Sequence, residues 1–240
     1  MTTLTYSDLM LPNQSFLRRD YKGAEGEFYR AMFDLIIDST DLVVPADEFS
    51  LVASDRFSTE EMASHPILLK FLQFLIKLSR SRTVLEIGAF IGVSAMSMAR
   101  ALPDGGSLTT IEKFPEFAAI CRQNFDNNHL ADKITLLEGD AMEVLPGLSG
   151  KTFDFIFLDG NKERYARYFQ LLDRLVSPEG LIVVDNMLCC GDTLNNPPST
   201  EKAEGVRKFL FYAKERKDYT RVLLPVYDGV MLMQKKAIVK

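Results

Sequence analysis

Two strand ends in the sequence carry side chains suited to a hard metal ion. Asp159 closes the apolar run FDFIFLD, and Asp185 and Asn186 close the apolar run LIVVDN. Parallel strands bring their carboxyl ends to one edge of a sheet, where ligands of open α/β folds bind. Carboxylate and carboxamide oxygens suit an octahedral cation such as Mg²⁺, with Mn²⁺ or Ca²⁺ as alternatives. The pattern predicts an open cation site, although each acid taken alone fits a solvated strand end better than a metal ligand.

A lysine follows the first of these acids by one helical turn. Lys162 stands three residues after Asp159, in the charged stretch KERYAR. Beside a dication its ammonium form is disfavoured, which lowers its pKa towards the range of a general base. Without the metal ligands, the same lysine fits a solvated position in a first helical turn.

A glycine-containing turn follows the strand-like segment TVLEIG. Glu86, Gly88 and Gly92 form the pattern Glu-x-Gly-x-x-x-Gly at the entry to a helix, where glycines allow a ligand to approach the backbone closely. A dinucleotide fingerprint has more closely spaced glycines, and here Phe90 crowds that site. The turn therefore suits a nucleoside with an uncharged or zwitterionic tail, or is a structural turn only.

Two further strand ends favour the nucleoside. Glu112 lies 20 residues after Gly92, where doubly wound folds place an acid against the ribose hydroxyls. Asp140 and Ala141 follow the next strand in the tripeptide GDA, where a carboxylate and a backbone N–H suit an adenine edge. Together with the glycine turn, this pattern resembles that of S-adenosylmethionine-dependent methyltransferases. The cationic sulfonium of that cofactor would also disfavour the ammonium form of Lys162.

The elements that must position these residues alternate along the chain. Buried strands are predicted at 83–88, 107–112, 134–140, 153–159 and 181–186, with helices at 92–101, 115–127, 141–147 and 162–176. A helix over 200–217 then precedes a hairpin over 219–236 with Asp228-Gly229 at its turn. The alternation predicts a Rossmann-like α/β fold, with a mostly parallel seven-stranded sheet that ends in an antiparallel hairpin.

The N-terminal part lacks this alternation. Residues 24–38 and 66–80 have helical apolar spacing, and Pro66 suits a first turn. We expect residues 1–60 to form a helical extension of the same domain, serving as a lid or dimer surface, and residues 61–240 to form the main domain.

Composition excludes several classes of protein. The net charge of −5, without a basic cluster, argues against a nucleic-acid partner. The N-terminus lacks a secretory pattern, and no apolar run reaches the roughly 20 residues that cross a bilayer. Of three cysteines, Cys189 and Cys190 are adjacent, which is a poor disulfide framework. A cytoplasmic protein with no membrane partner is expected.

The chain resembles the cation-dependent O-methyltransferases, the family of catechol and caffeoyl-CoA O-methyltransferases. The segments VLEIGAFIGVSAMSMARAL, TTIE, FIFLDGNKERY and VVDNMLCCGD carry the resemblance, which spans roughly residues 60–236. It implies Asp159, Asp185 and Asn186 as metal ligands and Lys162 as the catalytic lysine. It also implies cofactor contacts from Ser64, Glu86, Gly88, Ala89, Ser94, Glu112, Asp140, Ala141 and Asp159.

The chain departs from this family at two places. Asp159-Gly160-Asn161-Lys162 stands where many members read Asp-Ala-Asp-Lys, and Cys189-Cys190-Gly191 stands where plant-type members often carry Trp-Asn-Gly. The second departure predicts a pocket wall closer to that of the catechol branch.

The resemblance implies transfer of a methyl group from S-adenosylmethionine to one hydroxyl of a small vicinal diol on an aromatic ring, by a protein that is a homodimer. Two alternatives remain. One is a non-catalytic S-adenosylmethionine-binding sensor or assembly protein. The other is an N-methyltransferase, suggested by NNPPS at 195–199, which lacks the aromatic residue of the amino-methyltransferase motif and follows the fifth strand, so that we interpret it as a loop.

Overall fold

The computed structural model describes residues 24–237, which form a seven-stranded sheet flanked by helices. The strands are β1 (Thr83–Ile87), β2 (Ser107–Glu112), β3 (Ile134–Glu138), β4 (Phe153–Leu158), β5 (Val176–Val184), β6 (Tyr219–Leu224) and β7 (Val230–Lys235). Their order across the sheet is β3-β2-β1-β4-β5-β7-β6. β1 to β5 are parallel, whereas β7 is antiparallel to both β5 and β6. The predicted Rossmann-like sheet with an antiparallel hairpin is confirmed.

The helices confirm most of the predicted positions. They are α1 (Ala24–Asp38), α2 (Pro45–Glu48), α3 (Thr59–Met62), α4 (Pro66–Ser79), α5 (Val93–Ala101), α6 (Pro115–Asn127), α7 (Ala141–Val144), α8 (Tyr165–Leu172) and α9 (Glu201–Glu215).

Three predicted elements had a boundary that was wrong by three residues or more. The helix predicted over 141–147 ends at Val144 and continues as a 3₁₀ turn, in which Pro146 has no N–H to donate. The helix predicted over 162–176 comprises a 3₁₀ turn at Lys162–Arg164 and the shorter α8. β5 starts at Val176 rather than 181, because Val176 pairs with Phe153 before a bulge shifts the register.

The alternation of side chains along the central strands builds two apolar layers. On β4, Phe155 and Phe157 pack on one face of the sheet, while Ile156 and Leu158 pack on the other. All four are fully buried, which explains why the strand reads as a continuous apolar run. The same burial holds the carboxyl end of β4 in the middle of the sheet.

The segment before α4 packs against the main body of the protein. The backbone N–H groups of Ser50 and Val52 donate to the side-chain oxygens of Asn128 and Asn124, at 2.9 and 2.6 Å. The first 23 residues lie outside the described part of the chain, so the division at residue 60 stays a prediction. Within residues 24–237, no helix has both the length and the apolar character needed to cross a bilayer.

Candidate active site

The carboxyl ends of three adjacent strands form the centre of the site. The backbone N–H of Asp159 donates to Ile87 at the end of β1, and that of Asp185 donates to Leu158 at the end of β4, at 3.0 and 3.1 Å. The two acids therefore leave neighbouring strands at the same level. Gly88 lies against Asp159 with a φ of +96°, and a Cβ at Gly88 would come within 2.5 Å of the Asp159 carbonyl oxygen. The glycine turn and the acidic corner are thus in direct contact, and only glycine fits.

Lys162 reaches back to Asp159, as its spacing predicted. Its Nζ lies 2.6 Å from Asp159 Oδ1, and both side chains are mostly shielded from solvent. Asn161 caps the 3₁₀ turn that carries the lysine, since its Oδ1 accepts from the Glu163 N–H at 3.1 Å. Asn161 therefore has a structural role where the family often has aspartate.

The pKa of Lys162 is raised in the protein without ligands. Burial lowers it, but attraction to Asp159, the hydrogen bond to that carboxylate and attraction to Asp185 outweigh burial. The predicted fall of this pKa required a dication and a sulfonium nearby. In this structure, Lys162 is an ammonium held by its acidic neighbours.

The corner carries more acid than Lys162 neutralises. Asp185 is only 4% exposed. Burial raises the pKa of its carboxyl group well above the usual range, and repulsion from Asp159 adds to this. Asp228 repels the same group, so three carboxyl groups face one ammonium. Buried carboxylates that lack compensating charge fit a divalent cation held by oxygen ligands.

The candidate ligands are two carboxylates and one amide. Within residues 24–237, no group of three or more His, Cys, Asp or Glu side chains is arranged to hold a metal ion without other ligands. A cation here would be held by Asp159, Asp185 and the amide oxygen of Asn186, together with substrate and water.

Asp228 belongs to this corner, although its sequence context indicated only a hairpin turn. It is 1% exposed and accepts from the Asn186 side-chain amide at 3.1 Å and from the Cys190 backbone N–H at 2.7 Å. Burial raises its pKa to about 6. In the sequence, Asp228 is recognisable only as an acid in a turn between two apolar strands. That pattern does not indicate which residues the carboxylate contacts.

On the cofactor side, Glu86 is fully buried behind the glycine turn. Its Oε2 accepts from the Thr110 hydroxyl at 2.6 Å, whereas Oε1 is buried without a hydrogen-bond partner. Burial raises the pKa of Glu86 to about 7, and the nearby Ser94 and Thr110 hydroxyls act against this rise. Ser94, at the start of α5, is buried beside this carboxyl group. An orphaned buried oxygen here fits a ligand that donates a hydrogen bond to it.

Glu112 lies at the end of β2 and holds the glycine turn from the other side. Its two oxygens accept from the backbone N–H groups of Phe90 and Phe114, at 2.8 and 2.9 Å. Phe90 has a φ of 51°, a conformation uncommon for a side chain of this size. Burial raises the pKa of Glu112, while these backbone donors act against the rise. Its place at the strand end matches the predicted ribose contact, which stays a prediction.

Asp140 caps α7 and is paired with two cations. Its Oδ1 accepts from the Met142 N–H at 2.9 Å, and its Oδ2 contacts Lys113 and Arg164 at 3.0 and 2.9 Å. Burial raises its pKa, but the Met142 N–H and the two cations outweigh burial and lower it. A carboxylate with these partners has less capacity left to read an adenine edge.

The remaining predicted cofactor residues are Ala89, Ala141 and Ser64. Ala89 and Ala141 are buried at the ends of the first and third strands, whereas Ser64 is half-buried in the loop between α3 and α4. The segment NNPPS is irregular, as interpreted from the sequence. The structure thus brings Asp159, Lys162, Asp185 and Asn186 into one corner, with Glu86 and Gly88 behind it. The roles of all these residues stay predictions.

Comparison with known proteins identifies the class of enzyme. A family model described as O-methyltransferase matches residues 49–236. A catechol O-methyltransferase of Niastella koreensis is 35% identical over 212 residues, covering 84% of this chain and 94% of that protein. Caffeoyl-CoA O-methyltransferase 1 of Eucalyptus globulus is 33% identical over 177 residues, covering 69% of this chain and 72% of that protein.

A solved structure agrees with these relatives. The O-methyltransferase of Streptomyces achromogenes in complex with S-adenosylmethionine has a TM-score of 0.69 and 31% identity, covering 73% of this chain and 82% of that chain. The chain belongs to the O-methyltransferase family. It is an S-adenosylmethionine-dependent O-methyltransferase.

Proposed function

We propose that this enzyme methylates one hydroxyl of a catechol-like vicinal dihydroxy-aromatic molecule, with a bound divalent cation such as Mg²⁺ and with Lys162 as the general base. The observation that carries the proposal is the corner in which Lys162 lies 2.6 Å from Asp159 beside the buried Asp185. The similarity to a catechol O-methyltransferase over most of both chains supports the choice of acceptor.

The residues of the corner have separate proposed roles in binding the cation, the acceptor and the cofactor. When bound, the cation would supply a Lewis acid for two neighbouring oxygens, and S-adenosylmethionine would supply the methyl group on its sulfonium. Asp159, Asp185 and Asn186 would hold the acceptor side of the site by way of the cation. The buried edges of β1 and β4 would exclude water, and Glu86 and Glu112 would fix the cofactor. Positioning two reactants in this way is worth roughly 7–11 kcal/mol of the barrier.

Lys162 would move the proton. The attraction that keeps its ammonium charged comes from Asp159 and Asp185, which are the carboxylates proposed to hold the cation. Lys162 would lose part of that attraction if a cation shared those carboxylates, which would lower its pKa and favour the neutral amine. Its Nζ would then accept the phenolic proton while the acceptor oxygen attacks the methyl carbon. The bond from that carbon to the sulfonium sulfur would break, the sulfur would keep the electron pair, and S-adenosylhomocysteine would leave.

A methylation screen tests this proposal. Catechols and monophenols are incubated with S-adenosylmethionine, with Mg²⁺ or with EDTA, and methyl transfer is measured. We expect turnover of catechols with Mg²⁺ and its loss with EDTA. Turnover of catechols undiminished by EDTA would contradict the cation. Tight cofactor binding without transfer to any phenol would favour the sensor.

We also propose that the enzyme is a homodimer. Phe74 and Leu78 on α4 are 60% and 69% exposed, and they lie one helical turn apart. A second copy of the chain that covered this strip would remove it from water. Sedimentation of the wild type as a monomer at micromolar concentration would contradict the dimer.

A further inference from the structure

We propose that Asp228 is a positioning residue, which holds the amide group of Asn186 so that the amide oxygen is presented as a cation ligand. The role of Asp228 rests on the cation site proposed above. It concerns a residue that the sequence placed only in a hairpin turn.

Both oxygens of Asp228 are engaged with the segment that carries the ligand. Oδ2 accepts from Asn186 Nδ2 at 3.1 Å, and Oδ1 accepts from the Cys190 N–H at 2.7 Å. The backbone oxygens of Asp228 and Gly229 accept from the N–H groups of Leu188 and Met187, at 2.8 and 2.9 Å. Asp228 and Gly229 thus hold the chain from residue 186 to residue 190 through four hydrogen bonds.

The chemistry of the pair determines the orientation of the amide. An ionised carboxylate only accepts hydrogen bonds, and an amide donates only through its nitrogen. Asn186 must therefore give its NH₂ group to Asp228, and Oδ1 is the atom left for another partner. A reversed amide would place two acceptors against each other and offer the cation an NH₂ group, which cannot be a ligand.

The backbone of this segment needs such support. Asn186, Cys189 and Cys190 have φ values of 56°, 46° and 54°, in the left-handed region that side-chain-bearing residues rarely adopt. Such conformations persist where surrounding contacts enforce them. The hydrogen bond from the Cys190 N–H to Asp228 supplies one of those contacts.

Direct measurement of metal binding tests the role of Asp228 without relying on activity. Mn²⁺ is titrated into the full-length protein at pH 8, and free Mn²⁺ is followed by electron paramagnetic resonance. For Asp228→Asn we expect the Mn²⁺ dissociation constant to rise by about 10- to 100-fold, as for other residues that orient a ligand. Binding of S-adenosylhomocysteine, measured by calorimetry, should change by less than about twofold, since Asp228 orients the metal ligand.

The matched control is Asp173→Asn. Asp173 also forms a hydrogen bond and an ion pair, with Tyr219 at 2.7 Å and with Arg216 at 2.9 Å, but it precedes β5 and so lies at the opposite edge of the sheet from Asp185. This variant should lose thermal stability with an unchanged Mn²⁺ dissociation constant. The comparison separates a general loss of stability from loss of ligand orientation.

An exchange variant provides a rescue that a purely structural role would not predict. The double variant combines Asn186→Asp with Asp228→Asn. The amide nitrogen at position 228 then donates to the carboxylate at position 186, and the amide oxygen at position 228 still accepts from the Cys190 N–H. Both hydrogen bonds are kept, so the variant should fold even where Asp228→Asn alone does not. A carboxylate oxygen at position 186 should bind Mn²⁺ at least as tightly as in the wild type.

The outcomes are distinct. Equal Mn²⁺ binding by the wild type and Asp228→Asn would overturn the role of Asp228 and leave the cation-dependent function intact. Failure of the folded exchange variant to bind Mn²⁺ would also overturn the role of Asp228. Absence of Mn²⁺ binding by the wild type would overturn both the cation site and the role of Asp228.

Discussion

At the scale of single residues, the site is controlled by ionisable groups that are kept from water. Lys162 is charged because Asp159 and Asp185 outweigh its burial. Glu86 is fully buried with one orphaned oxygen. Both groups hold protons more strongly than they would in water, and each makes a measurable prediction.

Replacing Lys162 with methionine removes the proposed base and keeps the length of the side chain. We expect kcat to fall about 10²- to 10⁴-fold, the usual contribution of general acid–base catalysis. Affinity for S-adenosylhomocysteine should be little changed. Lys208→Met is the control, because Lys208 also pairs with an acid, Glu204, but on the exposed face of α9. Equal kcat in the wild type and Lys162→Met would remove Lys162 from its proposed role.

Glu86 predicts a pH-dependent stability. Its pKa is raised from 4.5 to about 7, so the folded protein binds the proton more tightly than the unfolded chain. The stability from this proton is fully present below pH 4.5 and is lost as the pH rises to about 7. Glu86→Gln abolishes this dependence.

The measurement is urea unfolding of the wild type and Glu86→Gln at several pH values. As the pH rises from 4.5 to 8, the unfolding free energy of the wild type should fall by about 3 kcal/mol relative to that of Glu86→Gln. A difference that stays constant with pH would show that burial does not raise this pKa.

At the scale of elements, α9 determines where Lys162 stands. Gly205 on this helix lies against the 3₁₀ turn, and a Cβ there would come within 2.5 Å of the Lys162 carbonyl oxygen and 2.4 Å of Glu163 Cα. The helix can approach the turn only because residue 205 has no side chain. The position of the proposed base thus depends on a helix that starts nearly forty residues later in the chain.

Gly205→Ala should push α9 and the turn apart. We expect a loss of about 1–3 kcal/mol of stability, as for other overpacked sites, together with a lower kcat because Lys162 shifts. Gly147→Ala is the control, since nothing lies within 4 Å of a Cβ at that position. Thermal unfolding and steady-state kinetics measure both effects. Wild-type stability and kcat in Gly205→Ala would show that the contact is easily relieved.

At the scale of the whole molecule, the sheet order joins the two halves of the site. β1 lies between β2, which ends in Glu112, and β4, which is followed by Asp159. A ligand that spans this edge bridges several strands and stabilises the folded chain by mass action.

Saturation with S-adenosylhomocysteine should therefore raise the melting temperature. At about 100 times its dissociation constant the ligand adds about 2.7 kcal/mol, which corresponds to roughly 5–10 °C for a chain of this size. NAD⁺ at the same concentration is the control, because the turn has Phe90 where a dinucleotide fingerprint has a glycine. A shift with NAD⁺ that equalled or exceeded the shift with S-adenosylhomocysteine would contradict the preference for a nucleoside without phosphates.

Local sequence patterns determined the fold and the position of most of the site residues. The apolar runs, the glycine turn and the acids at strand ends specified a Rossmann-like fold and brought Asp159, Lys162, Asp185 and Asn186 into a single site. They did so because strand burial, helix spacing and the shared edge of parallel strands are properties of short segments. The start of β5 was missed, since its pairing with Phe153 depends on another strand.

Only the tertiary structure decided the partners of the site residues. Asp228 contacts Asn186 across 42 residues of sequence, because β7 inserts between β5 and β6 and returns its turn to the carboxyl edge. Gly88 against Asp159 and Gly205 against Lys162 are likewise contacts between distant segments. The raised pKa of Lys162 follows from such contacts as well, because the balance between burial and neighbouring charge is set by packing in three dimensions.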